Sequence, residues 1–181
     1  MFEFLKRRII YEEWNLAFRL KENNSDCILK NKNYEFTIIK NPWRYWCADP
    51  FLLENDGKTY IFFEMFDRLK LKGVIGCSEI KDDKPQKPRI VMEKPYHLSY
   101  PNIFKVKDKI YMVPETIGAK KIQVFEAISF PAHWKLVDVL IDDIVGCDTT
   151  FLLKDDKLWL FTLQVSGNNV INDKLFLFFK D

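Results

Sequence analysis

Four acids of this 181-residue chain, Asp49, Glu64, Glu115 and Asp148, stand at the ends of short apolar runs, as in Ala48-Asp49-Pro50-Phe51 and Val113-Pro114-Glu115. Carboxylates that flank a sugar are the apparatus of glycoside hydrolysis. One protonates the leaving oxygen while the other activates water or attacks the anomeric carbon. Direct contact between Asp49 and Glu64 would raise the pKa of one of them, the direction a general acid needs at neutral pH. Aromatic rings that suit a sugar face lie close by in the chain: Trp43, Tyr45 and Trp46 precede Asp49, and Tyr96, His97 and Tyr100 lead into the next apolar run. Asp49, Glu115 and Asp148 are therefore the candidate catalytic residues, and Glu64, His97, Tyr100 and Trp46 the candidate substrate contacts. His133, beside Trp134, reads as an exposed residue of an outer hairpin.

To act together these groups need elements that carry them to one place, and an internal repeat supplies them. Residues 49–60, 100–111 and 148–159 align without a gap. A period of about 50 residues belongs to propeller blades rather than to shorter solenoid repeats. Each unit opens with an apolar run, passes a polar turn such as Asp56-Gly57 and resumes with an aromatic run, which is a β-hairpin. Counting back from that turn puts Asp49 opposite Glu64, Tyr100 opposite Glu115 and Asp148 opposite Leu163. Further strands are expected over 74–80 and 89–93, over 122–128 and 134–141, and over 174–179. Four strands per unit make a blade, so the expected fold is all-β, an incomplete β-propeller of about two and a half to three blades. Residues 1–47 hold leading strands, 48–98 blade one, 99–146 blade two and 147–181 an incomplete blade three.

The leading segment alternates apolar and polar residues from Trp14 to Leu20, and residues 34–39 read as another strand. Such a leading strand is expected to complete the final blade by pairing with C-terminal strands. The charged stretch 81–87 reads as a solvated hairpin connection. Inner strands surround a central channel, so the acids should converge on its mouth, where facing like charges call for a ligand, a cation or a shared proton. Because propellers close with about four to eight blades, the missing blades are expected from a continuation of the chain or from another chain, and the chain reads as a truncated domain. Alone, its open edges predict dimerisation or aggregation.

Composition narrows the partners. With 48% hydrophobic and 15% aromatic residues the chain has material for one core, which excludes disorder and coiled coil. Lys+Arg 28 against Asp+Glu 26 leaves +2, too little for a phosphate-tracking surface, so no nucleic acid is expected. No apolar run approaches the roughly 20 residues of a membrane span. Lys6, Arg7 and Arg8 are followed by Tyr11-Glu12-Glu13 rather than an apolar leader, which reads as cytoplasmic. Four cysteines, at 27, 47, 77 and 147, with only two histidines, show no zinc spacing and read as free buried thiols. There is no Gly-rich phosphate loop and no EF-hand loop, so neither cofactor nor metal is expected.

The pieces Ala48-Asp49-Pro50-Phe51-Leu52, Tyr60-Ile61-Phe62-Phe63-Glu64, His97-Leu98-Ser99-Tyr100-Pro101, Pro114-Glu115-Thr116 and Cys147-Asp148-Thr149-Thr150-Phe151 together resemble a known family. It is the N-terminal propeller domain of the glucosamine inositolphosphorylceramide transferase family and related bacterial proteins, similar in turn to the five-bladed propellers of glycoside hydrolase families 43 and 32. The resemblance implies a five-bladed fold, of which this is about the first half, and a glycan or sugar conjugate as partner. It also implies that Asp49 matches a base or nucleophile, that Asp148 matches an aspartate that orients substrate or tunes pKa, and that the acid is a glutamate, Glu115 or Glu64. Three readings stand at this point. The first is a glycosidase-like propeller that binds or hydrolyses a glycan; the second is a non-catalytic sugar-recognition module beside a glycosyltransferase; the third is a plain protein-interaction propeller.

Overall fold

Sixteen phenylalanines and a run of β-branched residues between turn signals dictate strands, and the computed structural model, which describes residues 13–20, 35–164 and 174–180, is built of them. A short antiparallel pair leads, β1 (Leu16–Phe18) with β2 (Thr37–Ile39). The first blade is β3 (Tyr45–Asn55), β4 (Lys58–Asp67), β5 (Lys72–Lys81) and β7 (Arg89–Met92), with β6 (Lys84–Pro85) folding back on β5 as a small hairpin. The second is β8 (Ser99–Val106), β9 (Lys109–Glu115), β10 (Lys121–Ser129) and β11 (His133–Asp142); the third is β12 (Gly146–Lys154), β13 (Lys157–Gln164) and β14 (Lys174–Lys180). Among the described residues one 3-10 turn, Ile117–Ala119, interrupts the strands, and no helix is long and apolar enough to cross a membrane. The architecture is an incomplete β-propeller.

The hairpin turns follow from their residues. Asp56 and Gly57 both have positive φ, 51° and 72°, as do Asp155 and Asp156 at 54° and 57°. Left-handed pairs of this kind match the twist of the strands they join. Near the opposite end of the hairpins the ladder departs from simple counting. Asp49, Tyr100 and Asp148, the first residues of the three repeats, have φ of 53°, 45° and 49°. At each, two residues face one: Asp49 and Pro50 lie across from Phe63, Tyr100 and Pro101 from Pro114, Asp148 and Thr149 from Thr162. This bulge shifts the register by one. Ala48, not Asp49, is opposite Glu64; Ser99, not Tyr100, is opposite Glu115; and Cys147, not Asp148, is opposite Leu163.

Blades bury their faces against one another, so β4 is apolar on both sides. Ile61, Phe63 and Met65 pack on Leu16 and Cys47, while Tyr60 and Phe62 join Leu98, Ile103, Met112 and Phe125 between blades one and two. A second interblade core holds Val113, Ile122, Val124, Ile144 and Leu160. Phe62 has no exposed surface, and truncating such a ring costs about 3–5 kcal/mol. β1 pairs with β2 rather than with the C-terminal strand β14, and the apolar seat of Leu16 is on the face of blade one away from blade two. Cys47, Cys77 and Cys147 are free and buried, with burial raising their thiols to about 12, about 12 and about 11; Cys27 lies outside the described residues.

The side of blade three that faces away from blade two carries Leu152, Leu175, Leu177 and Phe179, all exposed. At about 10 µM, where such faces drive association, the 181-residue chain should sediment as a dimer or larger, and Leu177→Lys with Phe179→Lys should return it toward monomer. A monomeric wild-type chain would contradict this.

Candidate functional site

Glu64 ends the apolar run of β4 and, as an even-numbered residue of that strand, lies on the side of Phe62, toward blade two. There it meets His97, in the connection from β7 to β8. His97 Nε2 is 3.3 Å from Glu64 Oε1, within ion-pair reach although not aligned as a hydrogen bond, and the Glu64 side chain is only 6% exposed. The backbone N–H of Gly73 donates to His97 Nδ1 at 3.0 Å, so that nitrogen is an acceptor and the ring proton sits on Nε2, facing the carboxylate. The Leu98 N–H returns a bond to the Gly73 carbonyl at 3.0 Å.

The bulges bring the other acids in. Asp49 Oδ2 accepts the backbone N–H of Tyr100 at 3.3 Å, and Glu115 Oε2 accepts that of Asp148 at 3.1 Å. Each bulge residue of blades two and three thus has its N–H taken by a carboxylate of the blade before it. Glu115 Oε1 also accepts the Ser99 hydroxyl at 3.1 Å, so both of its oxygens are engaged. Tyr100 spans the three blades: its ring stands edge-on to Phe51 at 4.9 Å and its hydroxyl lies 2.7 Å from Thr150 Oγ1. Asn102 Nδ2 donates to the Thr149 carbonyl at 3.3 Å, lacing β8 to β12.

The electrostatics of the acids follow from this crowding. Burial raises Asp49, Glu64, Glu115 and Asp148 from their ordinary values, and repulsion among them adds to it at three: Asp49 and Asp148 push Glu64 up, Asp49 pushes Asp148 up, and Asp148 pushes Glu115 up. Hydrogen bonds and His97 pull the other way at Asp49, Glu64 and Glu115. For His97, burial acts to lower the imidazole, but Glu64, Glu115 and Asp49 outweigh it and hold it above its ordinary value. No described residue hydrogen-bonds the Asp148 carboxylate.

All the sequence-predicted residues except Trp46 meet at this mouth. Trp46 stands two strand positions beyond the Ala48–Glu64 pair, stacked on Phe66 at 4.7 Å, with its Nε1 buried and without a hydrogen-bond partner. Phe66 in turn lies 6.0 Å from His97. His133 is exposed on the outermost strand of blade two. Gly73, Ser99 and Thr150 are the residues that sequence reasoning missed. For Gly73 the signal was present, because a lone glycine inside a strand pattern marks a close approach. A Cβ there would stand 2.4 Å from the Leu98 carbonyl oxygen, 2.7 Å from Glu64 Oε1 and 2.8 Å from His97 Cε1.

The Leu98 backbone cannot yield cheaply, so Gly73→Ala should cost about 1–3 kcal/mol of stability and displace His97, read as a changed imidazole titration by NMR. Unchanged stability together with an unchanged His97 titration would remove Gly73 from the site.

Comparison with known proteins gives the family and the fold. A profile described as Glucosamine inositolphosphorylceramide transferase 1, N-terminal, matches residues 36–181. The chain is 34% identical over 125 residues to Glucosamine inositolphosphorylceramide transferase 1 of Oryza sativa subsp. indica, covering 68% of this chain and 17% of that protein. It is 30% identical over 122 residues to the protein of the same name from Arabidopsis thaliana, covering 66% and 16%. The chain therefore spans less than a fifth of the length of these relatives. The crystal structure of alpha-L-arabinofuranosidase from Lactobacillus brevis superposes with a TM-score of 0.59 at 12% identity, over 78% of this chain and 55% of that one, a likeness of fold. With the profile running through all three blades, the chain belongs to the family of the N-terminal domain of glucosamine inositolphosphorylceramide transferase 1.

Proposed function

We propose that the chain is a carbohydrate-active propeller that binds a glycan or sugar conjugate at its acidic mouth. The observation that carries this reading is the gathering of Asp49, Glu64 and Asp148, three buried or half-buried acids, at one mouth by the blade bulges, near enough that their charges repel. Sugar hydroxyls are the natural relief for such a group. They donate to carboxylates, and no described residue hydrogen-bonds Asp49 Oδ1 or either carboxylate oxygen of Asp148. The relatives named as glucosamine inositolphosphorylceramide transferases favour a sugar conjugate as the class of ligand.

In this reading Asp49 and Asp148 touch the sugar, and His97 and Tyr100 flank it. Glu115 holds the Asp148 backbone in place and is a positioning residue, since Ser99 and the Asp148 N–H occupy both its oxygens. That engagement, with the near-complete burial of Glu64, favours recognition without turnover beside a glycosyltransferase. Hydrolysis is the second reading, favoured by the raised Asp49 and Asp148. There Asp49 acts on water or the anomeric carbon and Glu64 or Glu115 supplies the proton. A further blade, from a continuation of the chain or another chain, sits on the outward face of blade three and deepens the mouth.

Titration of an oligosaccharide panel by calorimetry tests the reading. Asp49→Asn and Asp148→Asn should each weaken binding about tenfold, the loss of one charged hydrogen bond, and product analysis separates binding from hydrolysis. If Asp49→Asn and Glu115→Gln both leave sugar binding and any turnover unchanged, the reading fails.

Stability offers a second check. Folded Asp148 holds its proton more tightly than the unfolded chain does, so its contribution is favourable below the ordinary aspartate range and is lost as pH rises through the folded value. Asp148→Asn should therefore raise Tm at pH 7 by about 1–3 °C, with the gain vanishing below about pH 4. A lower Tm at pH 7 would contradict the account.

A further inference from the structure

Between β7 and β8 the chain crosses from blade one to blade two over residues 93–98, at the rim of the acidic mouth. β7 stops opposite Ile75, so Gly73, two residues earlier on β5, has no strand beside it on that side. The crossing segment stands in for one. Leu98 donates its N–H to the Gly73 carbonyl at 3.0 Å, and the Gly73 N–H finds its acceptor in a side chain, His97 Nδ1, at 3.0 Å. A ring nitrogen thus takes the place of a strand carbonyl at a buried glycine.

A carbonyl accepts at every pH, whereas an imidazole nitrogen accepts only while it carries no proton, because both nitrogens of imidazolium are donors. Protonated on Nδ1, His97 would point an N–H at the N–H of Gly73, and the ring has to leave. The other ties of the segment have no such dependence in the neutral range. Lys72 Nζ donates to the Lys94 carbonyl at 2.5 Å, and the Tyr96 hydroxyl donates to Gln123 Oε1 at 2.9 Å. Tyr96 also packs on Gly118, where a Cβ would stand 2.5 Å from Tyr96 Cβ, and Leu98 is fully buried.

The other edge of the ring invites a proton. His97 is 42% exposed, and its Nε2 lies 3.3 Å from Glu64 Oε1. Glu64 from β4, Glu115 from β9 and Asp49 from β3 all act on it with one sign, and Asp148 acts on Glu64 and Glu115 behind them. Lys72, the cation next to Gly73, is turned instead to Glu93 and the Lys94 carbonyl. The carboxylates favour the imidazolium and the Gly73 N–H favours the neutral ring, so the two edges of one side chain make opposite demands.

We infer that His97 is a proton-operated latch on the crossing segment. Neutral, it closes Gly73 and holds the segment on β5; protonated, it gives up Gly73, stays with Glu64 and lets the segment slacken. Ser99 and Tyr100 follow His97 by two and three residues and hold Glu115 and Asp49, so the geometry of the mouth changes with pH. The latch needs no sugar.

The test is NMR of the sugar-free 181-residue chain from about pH 9 to about pH 5, a window that spans the histidine range, so that its failure leaves the glycan reading standing. At the upper end His97 Nδ1 should give the signal of an unprotonated nitrogen and a scalar coupling across the hydrogen bond to the Gly73 amide nitrogen. Both should vanish as the ring is protonated. At the same midpoint the hydrogen-exchange protection of Gly73, relative to that of Ile75, should fall about tenfold, the loss of one hydrogen bond at a buried N–H. Glu64→Gln should lower the His97 and Gly73 midpoints together, which assigns the change to the ring rather than to the carboxylate. In His97→Gln the Gly73 amide should lose its response to pH; if that variant fails to fold, the agreement of the two wild-type midpoints carries the same information. A Gly73 amide indifferent to the His97 titration, a response with a different midpoint, one that persists in folded His97→Gln, or a Glu64→Gln variant that moves one midpoint without the other overturns the inference.

Discussion

Each of the three inner strands carries a bulge that breaks its ladder, and in blades two and three the N–H of the bulged residue is met by a carboxylate from the preceding blade. Asp49 receives the Tyr100 amide and Glu115 receives that of Asp148. The left-handed backbone at Asp49, Tyr100 and Asp148 is disfavoured for any residue with a Cβ, and for tyrosine more than for aspartate. A charge-assisted hydrogen bond of this kind is stronger than a neutral one and helps hold the bulge. The same bond fixes the position of one blade against the next, so the strained residue and the interblade joint are one feature. If the bulges were regularised, the acids would move to other strand positions and the joints would lose their partners.

The concentration of acids follows from this arrangement and works against stability. Four carboxylates lie where burial and mutual repulsion disfavour their charged forms, and the compensating groups are few: two backbone amides, a serine hydroxyl and one imidazole. Stability comes from elsewhere, from the interblade cores around Phe62, Met112 and Phe125 and around Val113 and Leu160. A rigid apolar frame tolerates an electrostatically unfavourable mouth, which is the usual relation of a scaffold to a binding site.

Much of the fold was legible because its signals are local. Asp56-Gly57 is a two-residue hairpin turn on chemistry alone, and the aromatic runs on either side are strands in both sequence and structure. Register was not legible, for a reason specific to this repeat. The bulge recurs at the same place in every blade, so the three segments align without a gap and the extra residue leaves no trace when one counts back from the turn. The acids still gather at one mouth, yet Ala48 and Ser99 take the cross-strand places expected for Asp49 and Tyr100. The interblade roles of Glu115 and Ser99 depend on contacts distant in sequence, as does the seating of Leu16 on blade one.

The most direct measurement of the central claim is a carboxyl-carbon NMR titration of the wild-type chain and of Asp49→Asn. Convergence at one mouth predicts that Glu64 and Asp148 titrate above the ordinary range in the wild type and that both move down once Asp49 is neutral. Ordinary values for both, unmoved by the substitution, would mean that the acids do not share a site.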